Sequence, residues 1–581
     1  MPTGTHVFIP IARTIAVGFA AATLVLPARS GQFDWPQWQG PNRDARSKET
    51  GLLAEWPKEG PPLAWKIKGL GGGDSTPSVA AGRIYGMSHR GGDEFVWALA
   101  EKDGKEVWAV RIAPALLQNW PQSKEGPACT PTVDGDRLYV MGLAGNVACL
   151  QVADGKVLWQ RNLMADFGGR SPMWSYRESP LVDGDKVICT PGGEEVTMVA
   201  LNKLTGETIW KSKVPDRAAG AAPGDGGQNR GGFGGNRPSA METNPLLSTL
   251  DQDHNKELSS GEIANAPAEL VKLDKDQDGK ISEDEVRPGG GGGGNQGDRP
   301  QRRRGPGIMR MIKANSALDA DESGAIEEAE IRNAVAALQK LDTNKDGKLT
   351  EEEAGMKFMG PQNTGAGYSS AIAIDSGGQR QYVQFLAMTV AGVSAADGKL
   401  LWRYDKPANG MRINISTPIY QDGQIFGASA YGAGGGLARL PKNAGAGLGA
   451  EEVWFSKSME NHHGGVILHD GALFGANGGN GGGYLACLDF QTGEVLWTEA
   501  DREKRRVTKG SVAFADGRIY YRTEEGPIVL IEPSRKEYVE RGRFEQPERT
   551  DQPAWSHPVI ANGKLYIRDQ DTLFCYDVKA K

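Results

Sequence analysis

The chain has 581 residues, a net charge of −7, 80 glycines and only five cysteines. This length exceeds a typical domain of about 100–200 residues. The negative balance offers no basic face for nucleic acid, the cysteines are too sparse for a disulfide scaffold, and no Cys-x-x-Cys-His run announces an attached haem.

At the N-terminus, Arg13 precedes an uncharged apolar run from Ile15 to Pro27, and Ala28-Arg29-Ser30 offers small residues at the spacing of a signal-peptidase site. This predicts a signal peptide over 1–30 and an exported protein, in the periplasm, the cell envelope or the medium; an uncleaved anchor is the alternative. The run is shorter than the roughly 20 residues of a membrane span. No later stretch is long and apolar enough to cross a membrane, so an integral membrane protein is not expected.

From residue 62 onward one phrase recurs. An early strand reads Pro, two or three residues, then Asp/Ala-Gly-x-apolar-Tyr, and a later one reads Ala/Cys-Leu-Asp followed by Thr/Asp-Gly-Lys/Glu-x-x-Trp. The interval from glycine to tryptophan is four residues in five copies: Gly104 to Trp108, Gly155 to Trp159, Gly206 to Trp210, Gly398 to Trp402 and Gly493 to Trp497. Each copy reads as a four-stranded antiparallel sheet. In one of them Asp134-Gly135, Gly145-Asn146 and Asp154-Gly155 supply turns that need a left-handed backbone. A single such sheet cannot bury both faces, whereas a closed ring of them can, with the tryptophan filling the gap between neighbours.

Early strands begin near Pro77, Pro131, Pro180, Ala371, Pro418, Val466, Val512 and Pro558. They predict an all-β, eight-bladed β-propeller, with seven blades as the alternative. Blades 1–3 fall in residues 31–215 and blades 4–8 in 363–581. The last copy ends without a Trp strand of its own. The stray segment Pro62-Leu63-Ala64-Trp65-Lys66 is expected to complete it and remove the open edge.

The phrases Asn202-Lys203-Leu204-Thr205-Gly206-Glu207-x-x-Trp210 and Asp489-Phe490-Gln491-Thr492-Gly493-Glu494-x-x-Trp497 resemble the tryptophan-docking repeat of the pyrroloquinoline-quinone (PQQ) propeller family. That family includes quinoprotein alcohol dehydrogenases and the BamB-like, non-enzymatic propeller of the outer-membrane assembly machinery. The resemblance covers roughly residues 34–215 and 363–581. The opening Asp34-Trp35-Pro36-Gln37-Trp38-x-Gly40-Pro41-Asn42-Arg43, with Asn461-His462-His463-Gly464-Gly465, looks like an exported branch of it.

Residues 216–362 interrupt the repeat. The Gly-, Pro-, Asn- and Arg-rich stretches 217–240 and 288–307, the latter carrying Arg302-Arg303-Arg304, read as flexible linkers. Between them stand four 12-residue loops with oxygen ligands at the positions an EF-hand needs. They are Asp251, Asp253, Asn255 and Glu262; Asp274, Asp276, Asp278 and Glu285; Asp319, Asp321, Ser323 and Glu330; and Asp342, Asn344, Asp346 and Glu353. A small all-α, calcium-binding insert is predicted. Glycine holds the sharp turn in three loops, but the first has Lys256, at a cost of about 1 kcal/mol. Loops start 23 residues apart within each half, so the apolar Leu258 is expected to bridge to Ile281, and Ile326 to Leu349. Pro267 is expected to break the helix between the first two loops.

The loops that enter the innermost strands should converge on a central funnel. They offer Asp74, Arg177, Glu178, Tyr368, Arg412, Asn414, His462, His463, Lys509, Trp555 and His557 as ligand-binding candidates. Adjacent histidines in a strand face opposite ways, so one of His462 and His463 is expected to act rather than both. The family resemblance implies, for a quinone enzyme, an adjacent-cysteine disulfide, a calcium ion and a catalytic Asp. No two cysteines here are adjacent, and Cys149, Cys487 and Cys575 fall at equivalent places in different repeats, where packing is the expected role. PQQ and quinone catalysis are therefore not expected. The function expected is binding or scaffolding toward a protein or small molecule of the envelope. The alternatives are an exported oxidoreductase or hydrolase using the funnel, and a purely structural envelope component.

Overall fold

The computed structural model describes residues 1, 31–115, 126–216, 240–282, 285–286, 312–321, 323–342, 345–355, 364–441, 448–479, 482–499, 508–552 and 554–580. The expected signal peptide, the Gly-rich stretches 217–239 and 288–307 with Arg302–Arg304, and Asn344 lie outside these residues. Among the described residues no helix is long and apolar enough to cross a membrane.

Eight sheets follow one another around the ring, each with four antiparallel strands that run in sequence order in blades 1 to 7; blade 4 adds a short fifth strand, Leu448–Gly449, in parallel. Blades 1 to 3 span residues 78–114, 132–162 and 181–212; blades 4 to 7 span 372–404, 419–456, 466–498 and 510–544. Blade 8 is built from Val559–Ala561, Lys564–Asp569 and Thr572–Asp577, and its outer strand is Leu63–Lys68 from the other end of the chain. Trp65 lies opposite Cys575 and Ile67 opposite Leu573 in that pairing. Arg568 reinforces the same seam: it is fully buried and donates to the carbonyls of Ser75 (2.9 Å) and Met87 (2.6 Å) in blade 1.

The recurring tryptophan is the mortar between blades. Trp108, Trp159, Trp210 and Trp454 lie over Gly155, Gly206, Gly398 and Gly493 of the next blade, where a Cβ would strike the indole ring. Their indole N–H groups donate to the carbonyls of Val152, Lys203, Ala395 and Phe490. Trp402 departs from the pattern despite its identical spacing. Its N–H donates to Gln381 of its own blade at 2.8 Å, and its ring covers Gly392. Blade 5 has Ala450 rather than glycine four residues before its own Trp454, and Leu448–Gly449 runs parallel beside Trp402 instead. Cys149, Cys487 and Cys575 face Trp159, Trp497 and Trp65 across their strands, and all five cysteines are buried free thiols.

Residues 35–53 follow no repeat and cross one end of the central channel, touching every blade. Trp35 pairs with Val79 of blade 1, and the Pro36 carbonyl accepts from Val133 of blade 2. Arg43, 3 % exposed, donates to the carbonyls of Ser179 (3.1 Å) and Pro180 (2.5 Å) of blade 3, and to Ala371 (2.8 Å) of blade 4. Trp38 donates to Thr417 at the start of blade 5. Arg46 donates to Leu468 of blade 6 and stacks on Phe514 of blade 7 at 4.2 Å. The Leu53 N–H donates to Val578, just beyond blade 8. This segment is a plug: it closes the channel and staples the ring from inside.

The insert has its own apolar core, which includes Leu247, Ile263, Leu270, Ile331 and Leu338. Its loop pairing corrects the expectation from spacing. Leu258 pairs with Leu349, joining loop 1 to loop 4, and Ile281 pairs with Ile326, joining loop 2 to loop 3. Only the 11 residues from 263 to 273 separate loops 1 and 2, and the one α-helix there, Ser260–Leu270, rises about 1.5 Å per residue, so the two loops sit at its opposite ends, about 16 Å apart. Pro267 does not break that helix, Ser260–Leu270. A capping box of Ser259 and Glu262 starts it, and the buried Ile263, Ala266 and Leu270 hold it.

Candidate functional site

The loops entering the inner strands meet around a funnel with a cavity of about 180 Å³, floored on the plug side by Trp38. Aromatic side chains dominate its wall: Trp174, Tyr368, Tyr431 and Trp555 face the same space as Trp38. Among the expected residues, Asp74, Arg177, His462, His463 and His557 line it. Asp74 and Arg177 approach to 3.8 Å, and Asp74 accepts from Gln570 at 2.8 Å.

Four candidates do not line the funnel, Lys509, which lies behind it, among them. Glu178 turns away between blades 3 and 4, where it accepts from the Thr190 N–H (2.6 Å) and Gln384 (3.1 Å). Asn414 is fully buried and donates to the carbonyls of Leu386 and Ala387. Arg412 adopts a left-handed backbone (φ 62°), and its loop presents Ile413 and Ile415 to the funnel instead. Side chains alternate along an entering strand, so the residue beside the one that faces the axis is buried in a blade.

Burial pushes the Glu178 carboxyl up to about 7, against about 4.3 in an unfolded chain. The stability this gives is complete below about pH 4 and is lost as pH rises through 7. Glu178→Gln is expected to gain in melting temperature relative to the wild type at pH 8 and not at pH 4. Melting curves displaced equally at both values would contradict the assignment. Glu94, also raised to about 7 by burial, leaves a residual slope of the same sign.

His462 and His463 correct the expectation that they diverge. Residues 461–465 form a loop rather than a strand, and the two imidazole centroids lie 3.6 Å apart. Asn461 closes the loop by donating to the carbonyls of Gly465 (2.9 Å) and Ala476 (3.0 Å). At Gly464 a Cβ would collide with the Gly510 carbonyl, so only glycine lets the loop press this closely on blade 7. Lys509, behind the lining, donates to His462 Nδ1 at 2.5 Å and lies 3.1 Å from Glu524. Glu524 is 3.3 Å from His463 Nδ1, and the Tyr431 hydroxyl is 2.7 Å from His462 Nε2. His463 stacks on Trp555 at 4.5 Å, and its carbonyl accepts from His557 Nε2 at 2.9 Å. Burial holds both adjacent histidines well below the usual imidazole range, with Lys509 adding to the effect, and brings His557 to about 4. Sequence reasoning missed Glu524 and Tyr431. Glu524 follows the second strand of blade 7 and Tyr431 lies in a turn of blade 5, outside the loops that enter the inner strands.

A family model described as outer membrane protein assembly factor BamB matches residues 45–171, 92–226, 359–499 and 481–579, together more than half of the chain. The chain belongs to this family. An EF-hand model matches residues 269–287 and 334–353, which contain loops 2 and 4. The BamB of Salmonella typhimurium is 27% identical over 141 residues, which is 24% of this chain and 31% of that protein. The match thus spans about a third of the curated relative. Among solved structures, BamB from Moraxella catarrhalis has a TM-score of 0.44 at 12% identity, covering 89% of this chain and 98% of that one. A quinohemoprotein alcohol dehydrogenase from Comamonas testosteroni has a TM-score of 0.41 at 12% identity, covering 94% and 81%.

The two cofactors that the sequence motifs raise fit differently. The five cysteines lie buried in the sheets or beside them and none lines the funnel, so the cysteine pair implied against a quinone has no counterpart there. The donor set of the insert suits a hard cation. Carboxylate oxygens of Asp251, Asp253 and Glu262, of Asp274, Asp276 and Asp278, and of Asp319, Asp321 and Glu330 converge to within 4.8 Å in each loop. In loop 4 the buried Asp342 Oδ1 has no hydrogen-bond donor. Lys256 takes the left-handed turn (φ 71°) that Gly279, Gly324 and Gly347 hold in the other loops.

Proposed function

We propose that this protein is an exported, calcium-binding propeller of the cell envelope that acts by binding, with a saccharide-sized ring as the ligand of its funnel. The observation that carries this is the lining: five aromatic side chains around one space, with Asp74, Arg177, Ser179, Ser370 and the histidines interspersed. Aromatic faces offer an apolar platform, and a few fixed polar groups set orientation, the composition of small-molecule sites in general. In the insert, Asp274, Asp276, Asp278 and Glu285 and their counterparts would hold calcium, which supplies charge neutralisation and a rigid loop rather than chemistry.

The hydrogen-bonded run Tyr431, His462, Lys509, Glu524, His463 favours a second reading, hydrolysis in the funnel, because such a run can move a proton. Quinone-dependent oxidation is tested directly. After incubation with PQQ and calcium, dye-linked alcohol oxidation is expected to stay at the rate of the PQQ-free control. A PQQ-dependent rate would overturn the binding assignment.

A further inference from the structure

We propose that His462, His463 and Glu524 form a site for a divalent transition metal of the zinc class on the funnel wall, held in the metal-free protein by the ammonium of Lys509. Two imidazoles and one carboxylate are a ligand set that zinc accepts with a fourth position left open. Nitrogen ligands also select zinc, cobalt, nickel or copper over calcium and magnesium. The three ligand atoms lie within 4.8 Å of one another. Bonds of about 2.0–2.1 Å in a tetrahedral site bring ligand atoms to about 3.4 Å, a closure that small side-chain rotations supply. His462 and His463 both line the funnel, so the open position faces the ligand space.

The surroundings supply what a metal site needs beyond its ligands. Tyr431 engages His462 Nε2 at 2.7 Å. The other nitrogen, Nδ1, receives Lys509 at 2.5 Å, so it presents its lone pair to a cation. A metal would use the same lone pair with the same tautomer, the ring being fixed by its outer partner. His463 is held by its stack on Trp555 and by the hydrogen bond of His557 to its carbonyl. Lys509 also lies 3.1 Å from Glu524. It therefore stands where the metal would, and the two cations exclude each other. When a metal enters, the amine either leaves the cage as ammonium or loses its proton to solvent; no bond other than coordination forms.

The test uses the full chain, stripped with a chelator and returned to millimolar calcium so that the acidic loops of the insert do not take up the probe. Zinc ion alone is titrated by calorimetry. Lys509→Met keeps all three ligands and is expected to bind one zinc per chain at least about tenfold more tightly than the wild type. Adding His463→Ala or Glu524→Ala to Lys509→Met is expected to abolish that site. Cobalt ion should give the strong visible absorption of a tetrahedral centre in Lys509→Met and not in the double variants. Equal zinc affinity in wild type and Lys509→Met overturns the proposal, as does a site that survives both ligand replacements. Because Lys509→Met alone decides the first comparison, the proposal remains falsifiable even where a double variant fails to fold.

Discussion

Arg43→Met is expected to destabilise the propeller by about 3 kcal/mol or more, the cost of leaving several buried acceptors without their donor. The guanidinium joins the carbonyls of Ser179 and Pro180 to that of Ala371 and donates from Nε to Gln37 Oε1 at 2.9 Å. Methionine fills much of the volume but donates nothing, and a buried carbonyl left without a donor costs about 1–3 kcal/mol. The bond from Ser179 to Ala371 through Arg43 also spans the break where the insert leaves the ring, between blades 3 and 4, so its loss should loosen that junction first. Arg46→Ala is the internal control. Arg46 reaches Leu468 and Phe514 from the plug's edge and is half-buried, so its loss should cost about 1 kcal/mol. Denaturant unfolding followed by circular dichroism measures both. An Arg43→Met protein as stable as the wild type would contradict the plug's role.

Calcium is expected to move one thermal transition and leave the other nearly fixed. A site at a hundredfold excess of calcium over its dissociation constant stabilises the folded module by about 2.7 kcal/mol. The insert has a core of its own, so that stabilisation should remain within it. Glu285→Gln and Glu353→Gln each remove a bidentate ligand and should flatten the response. Crossed pairing adds a sharper expectation. Glu353→Gln in loop 4 should weaken calcium at loop 1, its partner through Leu258 and Leu349, and leave loops 2 and 3 largely intact. Glu262→Gln should matter least, because its loop already carries Lys256 in the left-handed turn. Calorimetry that detects no bound calcium at millimolar concentration, or a shift confined to the propeller transition, would contradict the calcium assignment.

The ring was legible because its information is local and repeated. Each Gly-x-x-x-Trp phrase encodes a turn, a strand and an inter-blade contact, and the unpaired Pro62–Lys66 strand announced the closure that Trp65 and Cys575 make. Trp402 has the same spacing but turns inward, because the neighbouring blade has Ala450, not glycine, four residues before its Trp454. The plug was invisible for the opposite reason. Residues 35–53 repeat nothing, and their order is fixed by long-range contacts such as Arg43 to Ala371 and Arg46 to Leu468, separations that no local pattern carries. Crossed loop pairing was implicit in the 11 residues between loops, too few for two helices and a turn. The paired histidines were misjudged by treating residues 461–465 as strand, when Gly464-Gly465 makes them a tight loop.

The ligand proposed for the funnel is a ring held between its aromatic walls. Its most direct measurement is tryptophan emission of the full chain titrated with a panel of neutral and uronic mono- and disaccharides, for the wild type and for Trp555→Ala. A saturable change with at least one sugar, lost in Trp555→Ala while that variant keeps the wild-type melting profile, is the predicted result. A wild-type emission unaffected by every sugar, or a change that persists without Trp555, would contradict it.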